Sequence, residues 1–339
     1  MAVISGCTGQ SDAPPPGDAT VPDTQPATPA IASEDWLVRP LENAPARFRP
    51  AGWSSESVLW GLVGSRVARL QIDSGTAQTL SANAWSLHTA LNSVSWRNED
   101  GTWLLGGDDQ PMRIAGAQPD SLTGFDGPPT VLWSSDGSRA LLGWHGEGGS
   151  RFQLLRPGQP LQPIELRMPG YSGYSPVLWL DSARVLFQTV ANGPLSGPPM
   201  HRESGWRSDL AVLDVRTRAF TRVTRVPDRI YLRAAGRLQN GVLVTEWDSV
   251  GIQGHWLYDT ERWQRSALDL PKGRAFASPA GAVVVYIDSP GDTVPAVLMA
   301  GGKRVELGMA ARDAEPAFSP SGRRGAIRVG SRAILFEAK

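Results

Sequence analysis

The sequence predicts an all-β fold, on three observations. Apolar runs from residue 35 onward are short and rich in Val, Leu, Ile and Trp. Polar turn residues separate them, and seven segments repeat one plan at a spacing of roughly 40 residues, that of a four-stranded blade. With 37 Gly and 28 Pro in 339 residues long helices are disfavoured, while 41% hydrophobic residues suffice for a core. Collagen, a coiled coil and a wholly disordered chain are thereby excluded.

The repeats read GWSSESVLWGLV from Gly52, VSWRNEDGTWLLGG from Val94, VLWSSDGSRALLGW from Val131, VLWLDSARVLFQTV from Val177, AGRLQNGVLVTEW from Ala235, AFASPAGAVVVYI from Ala275 and AFSPSGRRGAIRV from Ala317. Each sets a small or apolar stretch, often with an aromatic, before a polar turn and then a strongly apolar strand. Trp53, Trp96, Trp133, Trp179 and Phe318 occupy nearly equivalent places. They are expected to pack between blades rather than to line a site. Gly137, Gly241, Gly281 and Gly322 are placed to take the positive φ of a tight hairpin. Third and fourth strands follow, as in DLAVLDV from Asp209 and FTRVTRV from Phe220, or HWLYDTE from His255 and QRSALDL from Gln264.

The seventh repeat ends one strand short, after Ala326 to Val329 and Ala333 to Phe336. Trp36 to Leu41, WLVRPL, is the strand left over at the other end. Pairing it into the last blade closes the ring and removes an exposed sheet edge. The expectation is one domain, 35–339, a seven-bladed β-propeller of four-stranded blades.

The turns LWSSDG at Leu132 to Gly137 and AFSPSG at Ala317 to Gly322 resemble the WD40-like repeat of TolB-type propellers. Pro316 to Gly322 matches that signature except that Ser321 replaces Asp. The resemblance covers most of 35–339 and is architectural. It implies a periplasmic or extracellular binding platform and transfers no catalytic residue.

Upstream of the repeats, Ile4, Ser5, Gly6 and Cys7 resemble a bacterial lipobox, which implies lipid attachment at Cys7 and residues 1–7 as the end of a signal peptide. Six residues before Cys7 are too few for a charged and apolar signal segment, so a start upstream of Met1 is expected, the alternative being a free thiol. Cys7 is also the only cysteine, which excludes a disulfide framework. Residues 8–34, rich in Pro, Thr and Ala, bury too little to fold and read as a disordered tether between lipid and domain. The location expected is the cell envelope, with the membrane reached only through the lipid.

Lys+Arg and Asp+Glu both number 33, so no charge excess points to nucleic acid. No GxSxG, P-loop, dinucleotide fingerprint or HExxH occurs, and an Asp-box fails on spacing at Asn98 to Trp103. In the TolB-type arrangement the loops between second and third strands share one face with the blade-to-blade links. On that template His145, His201 and His255 fall in or beside such loops and His88 in a link, with Asp108, Asp109, Glu147, Glu203, Asp248, Asp288 and Asp292 on the same face. A divalent cation fits such a rim, but no pair has the short spacing of a zinc motif, and solvated loops collect polar residues anyway. No cofactor is expected.

The loop from Ala191 to Asp209 lengthens its blade by about a dozen residues, and loops this long are often functional. Met200, His201, Arg202, Glu203, Trp206 and Arg207 in it mix the residue types that anchor a partner, although Trp206 packing on a blade edge is the plainer alternative. Links add Tyr171, Tyr174, Arg229, Tyr231, Arg233, Arg274 and Arg312 near the channel entrance, suited to anionic groups, sugars or peptide carboxylates. The function expected is a monomeric, non-enzymatic binding module for a protein, peptide or glycan. The rival is a propeller enzyme, a hydrolase, lactonase or lyase, working at the channel mouth.

Overall fold

The structure is a computed structural model and describes residues 36–90, 92–105, 111–114, 129–146, 149–156, 158–171, 173–191, 207–239 and 241–339. Its regular elements among these are all strands. After β1 (Trp36–Pro40), blade one holds β2 (Phe48–Trp53), β3 (Val58–Val63), β4 (Arg66–Gln71) and β5 (Thr76–Asn83). Blade two holds β6 (Ser86–Ala90), β7 (Ser93–Asn98), β8 (Gly101–Leu105) and β9 (Pro111–Arg113), and blade three β10 (Thr130–Trp133), β11 (Ala140–Gly146), β12 (Gly149–Leu155) and β13 (Gln162–Ile164). Blade four holds β14 (Gly173–Trp179), β15 (Arg184–Ala191), β16 (Arg207–Asp214) and β17 (Phe220–Arg222). Blade five follows with β18 (Tyr231–Leu238), β19 (Gly241–Trp247), β20 (Ile252–Asp259) and β21 (Arg265–Leu268), and blade six with β22 (Gly273–Ala277), β23 (Val283–Ile287), β24 (Thr293–Ala300) and β25 (Lys303–Ala311). The last blade has β26 (Ala317–Phe318), β27 (Arg324–Val329) and β28 (Arg332–Ala338), and its fourth strand is β1, antiparallel to β28 from Trp36 opposite Ala338 to Pro40 opposite Ile334.

Second strands such as β3, β11, β15, β19 and β23 are largely apolar because both of their faces are covered, whereas β7 (SVSWRN) is polar. On β23, Val283 and Val285 pack toward blade five while Val284 and Tyr286 pack toward blade seven. On β15, Val185 and Phe187 face blade three and Leu186 faces blade five. The two-residue period of a strand thus serves two interfaces at once. The core is accordingly a ring of clusters, each shared by neighbouring blades. It closes where Phe48, Trp53 and Leu59 of blade one meet Ala317, Ala326 and Leu335 of blade seven. Burial of each large side chain there contributes about 1.5–3 kcal/mol.

The repeat aromatics fasten one blade to the one before. At the end of a first strand, Trp53 donates its indole N–H to Ala317 O (3.1 Å), Trp133 to Ser95 Oγ (3.0 Å) and Trp179 to Leu132 O (3.0 Å). Trp96 does not belong to this set: it lies on β7, a second strand. The repeat expected from Val94 is displaced by one hairpin, because the polar Asn98–Gly101 turn joins second to third strand. The first turn of blade two is instead made with Asn92 at φ 56°. Gly137, Gly281 and Gly322 take positive φ as expected. Gly241 opens β19, and Gln239 takes the left-handed position in its place. Glycine is needed at 241 for closeness: a Cβ there would sit 2.6 Å from both Leu257 Cδ1 and Tyr258 O.

Candidate functional site

Antiparallel order places first-to-second and third-to-fourth turns at one end of the ring, here the turn face. Second-to-third loops and blade links share the other, the link face. Tyr171 lies in the link before β14, Tyr174 at the start of β14, Arg207 at the start of β16, Tyr231 and Arg233 at the start of β18, Arg274 at the start of β22, and Arg312 in the link after β25. All are on the link face. Cys7, Met200, His201, Arg202, Glu203 and Trp206 lie outside the described residues, as do Asp108, Asp109 and Glu147.

Two groups form. In the first, the fully buried carboxylate of Asp209 accepts from the Tyr171 hydroxyl on Oδ2 and, on Oδ1, from Thr224 Oγ1 (3.0 Å) and the Val226 N–H (3.0 Å). Arg207 and Arg222 place guanidinium nitrogens 3.7 and 3.9 Å from Oδ2. Both also donate to the Tyr171 oxygen, at 3.2 and 2.8 Å, and lie over its ring. Arg207 reaches on to Asp228 Oδ1 at 3.1 Å. Hydrogen bonds to Tyr171 and Asp228 hold Arg207 above its ordinary pKa. A buried carboxylate persists when paired and bonded this way. Arg207 pairs with Ala191 in the β15–β16 ladder, and residues 192–206 between them lie outside the described residues. Tyr174 braces it from behind, its hydroxyl accepting the Met168 N–H (3.0 Å) and donating to Tyr171 O (3.1 Å).

In the second group, nearer the ring axis, Arg274 donates to Glu315 Oε1, and Arg233 stands 3.6 Å from the same oxygen. Arg274 lies over the Phe276 ring, 4.6 Å from its centroid, and donates to Arg312 O at 3.2 Å. Arg312 in turn holds Gly291 O (3.0 Å) and Ser289 O and stands 3.6 Å from Asp288. Burial and then the neighbouring Arg233 lower the Arg274 pKa. Three guanidinium groups pair with Glu315 and Asp288 here, and Asp313 stands close enough to act with them on the Tyr286 phenol. Arg274 Nε has no partner among the described residues.

The tyrosines expected to touch a ligand are buried; burial pushes the Tyr231 phenol up. Contact at this face therefore falls to half-buried arginines, with Tyr171 and Tyr174 positioning them. Of the three histidines described, His145 lies beside the second-to-third loop of its blade as expected, and the other two sit elsewhere. His255 is within β20, buried, with Nδ1 3.1 Å from Thr245 Oγ1 and Nε2 3.1 Å from Pro271 O, so both ring nitrogens are engaged. His145 is on β11 with Nδ1 3.0 Å from Ser150 Oγ, and His88 is on β6. Burial, and then Arg97, hold His88 down to about 4 and lower His145 as well. Asp248 caps its own turn through the Val250 and Gly251 N–H groups. Among the described residues no three His, Cys, Asp or Glu gather as a metal site.

Asp209, Arg222, Thr224, Asp228 and Glu315 went unmarked in the sequence. Asp209 was visible only as the end of a long loop, and Glu315 only as the residue before the Pro316 repeat.

No family model and no curated protein matches the sequence. Solved structures do. The chain is similar to an oligogalacturonate lyase from Vibrio parahaemolyticus (TM-score 0.60, 9% identity, covering 92% of this chain and 98% of that one). It is also similar to the β-propeller domain of the Trilobed protease from Pyrococcus furiosus, which has an open velcro topology (TM-score 0.58, 10% identity, 87% and 94% covered). A putative TolB from Agrobacterium tumefaciens also matches (TM-score 0.45, 14% identity, 90% and 97% covered). At these identities the likeness to the first two is one of fold: the chain is a β-propeller, closed here by β1.

Proposed function

We propose that the protein is a non-enzymatic binding propeller of the bacterial cell envelope, tethered by a lipid on Cys7, whose link face takes a carboxylate-bearing partner. The observation that carries this is Glu315. It is 61% exposed, sits on a blade link, and occupies the fork between Arg233 and Arg274. An exposed carboxylate held by two arginines marks where an incoming one is recognised, because the guanidinium fork matches carboxylate geometry. Exchange leaves Glu315 in water at little cost, since an exposed ion pair is worth about 1 kcal/mol or less.

Peptides and glycans both supply carboxylates. Titration with a glutamate-rich peptide and with an oligouronate separates the sources, and the expected result is saturable binding to one of them. Replacing both arginines, Arg233→Ala with Arg274→Ala, is expected to weaken it at least tenfold with the melting temperature nearly kept. Binding that survives the double variant would overturn the assignment. The match to a lyase raises an enzymatic reading. The group best placed to pass a proton, Tyr171, argues against it, because its oxygen is buried and committed to Asp209, Arg207 and Arg222. Release of shortened oligouronate products would decide for the enzyme. For location, Cys7→Ser is expected to free the native gene product from membranes without unfolding it.

A further inference from the structure

Away from the arginines, between blades one and two, the link face holds a cavity of about 520 Å³ lined by Trp85, Trp96, Trp103, Asn83, Asn98 and the Glu99–Asp100 pair, with Ser65 at its edge. The volume lies within the roughly 300–1,000 Å³ of small-molecule sites. Trp85 is 57% exposed, which is unusual for a side chain of that size, while its N–H is fixed to Arg97 O at 2.8 Å. An indole is therefore presented to solvent on a fixed backbone. Trp96 is buried, and its indole N–H has no partner among the described residues.

The polar lining is sorted by role. Asn98 Oδ1 accepts from Trp103 Nε1 (2.9 Å) and from the Asp100 N–H (3.0 Å), so its carbonyl is spent and its NH2 remains. Asn83 Oδ1 accepts from Ser65 Oγ (3.4 Å), which leaves the Asn83 NH2 as well. Glu99 and Asp100, both exposed, have no ion-pair partner among the described residues. The cavity thus offers two amide donors, two carboxylate acceptors and an aromatic face. A ligand that satisfies all three needs hydroxyls, which donate and accept, around a body with C–H faces. An organic cation would satisfy the carboxylates and the indole but would leave the amide donors unpaired.

We infer that this cavity is a subsite for a neutral sugar ring, stacked on Trp85 and held at its hydroxyls by Asn83, Asn98, Glu99 and Asp100. It is separate from the arginine site on blades four to six, and either assignment can fail alone.

The test uses the full chain titrated with cellobiose, maltose and chitobiose, read by calorimetry and by tryptophan fluorescence, with choline as the cationic probe. Saturable binding of at least one disaccharide is expected, with a blue shift as an indole leaves water. Trp85→Ala, exposed enough to fold normally, is expected to weaken it about tenfold, the loss of one stacking contact. Asn98→Ala should weaken it too, and Arg274→Ala should leave it unchanged. Failure of all three sugars at millimolar concentration, or binding indifferent to Trp85→Ala, would overturn the assignment. So would choline binding in place of the sugars.

Discussion

The two ends of the ring use the same residue types differently. On the turn face carboxylates serve their own turns: Asp136 accepts from Ser134 and Ser138, Asp181 from the Ala183 and Arg184 N–H groups, Asp214 from Arg216 and Thr217, and Asp259 from Glu261 and Arg262. On the link face Asp209 and Glu315 bind partners 38 and 41 residues away, Tyr171 and Arg274. Exceptions occur on both faces: Asp248 caps its own turn on the link face, while at the ring closure on the turn face Glu56 holds Ser319 and Ser321, Asp73 holds Arg324, and Glu337 holds Arg39. The difference follows from chain length between strands. Short turns bring a carboxylate to its own backbone, whereas longer links, such as the eight residues between β17 and β18, need distant charges to hold them.

The largest expected effect tests whether the turn end carries the stability. Trp53→Ala removes a buried indole and its bond to Ala317 O at the ring closure, and should cost about 4 kcal/mol in denaturant unfolding. A loss below about 1 kcal/mol would mean that blade seven and blade one are held mainly by β1.

Asp209→Asn comes next. It leaves Arg207, Arg222 and Tyr171 around a neutral amide, and should cost about 3 kcal/mol, because the arginines lose their buried counter-charge. Loss of the link-face ligand without loss of stability would move Asp209 from a bracing role to a recognition role and blur the contrast between Tyr171 and the Glu315 group.

Acid separates the buried histidines of the strands from the aspartates of the turn face. His88 has its folded pKa depressed to about 4 by burial and Arg97. Above its ordinary value near 6.5 it is neutral in both states and the full stability is present. As pH falls below 6.5 the unfolded chain takes up a proton that the fold refuses, so stability declines until about pH 4, by at most about 3 kcal/mol. His145 and His255 shift in the same direction. The turn aspartates have lowered pKa values instead: Asp136 chiefly through Ser134, and Asp259 through the Arg262 and Glu261 N–H groups. Their contribution is present above the ordinary value near 3.8 and is lost as pH falls through the lowered folded one. His88→Gln should flatten the slope between pH 6.5 and 4 and leave the steeper acid limb alone. A slope unchanged by that substitution would place the histidine effect elsewhere.

What the sequence made legible divides along the same line. Period-two runs and Gly-containing turns are local, so six of seven repeats and the strand exchange by Trp36–Pro40 could be read directly. Blade two was misread because its strongest turn chemistry, Asn98 to Gly101, sits after the second strand, and its first turn rests on Asn92 with no glycine. The link face was half legible. Arg233, Arg274 and Arg312 could be named as residues of the right kind, but the carboxylate that gathers the first two, Glu315, arrives from another blade and carries no local pattern. Asp209 illustrates the same limit, since its partners come from three separate segments.

The smallest expected effect is at Asp136, and it carries the sharpest check on the contrast. Its carboxylate accepts from Ser134 Oγ (2.6 Å), the Ser138 N–H (3.0 Å) and Ser138 Oγ (2.8 Å), closing a turn in which Gly137 has φ 67°. Asp136→Ala removes all three bonds, yet Ser134 Oγ still reaches Arg139 O (3.0 Å), and water replaces the rest because the turn is exposed. The expected cost is about 1 kcal/mol, with ligand binding on the other face untouched. If it equals the cost of Asp209→Asn, then local and long-range carboxylates contribute alike. The separation of the faces would then lie only in what they touch, and no longer in how strongly they hold.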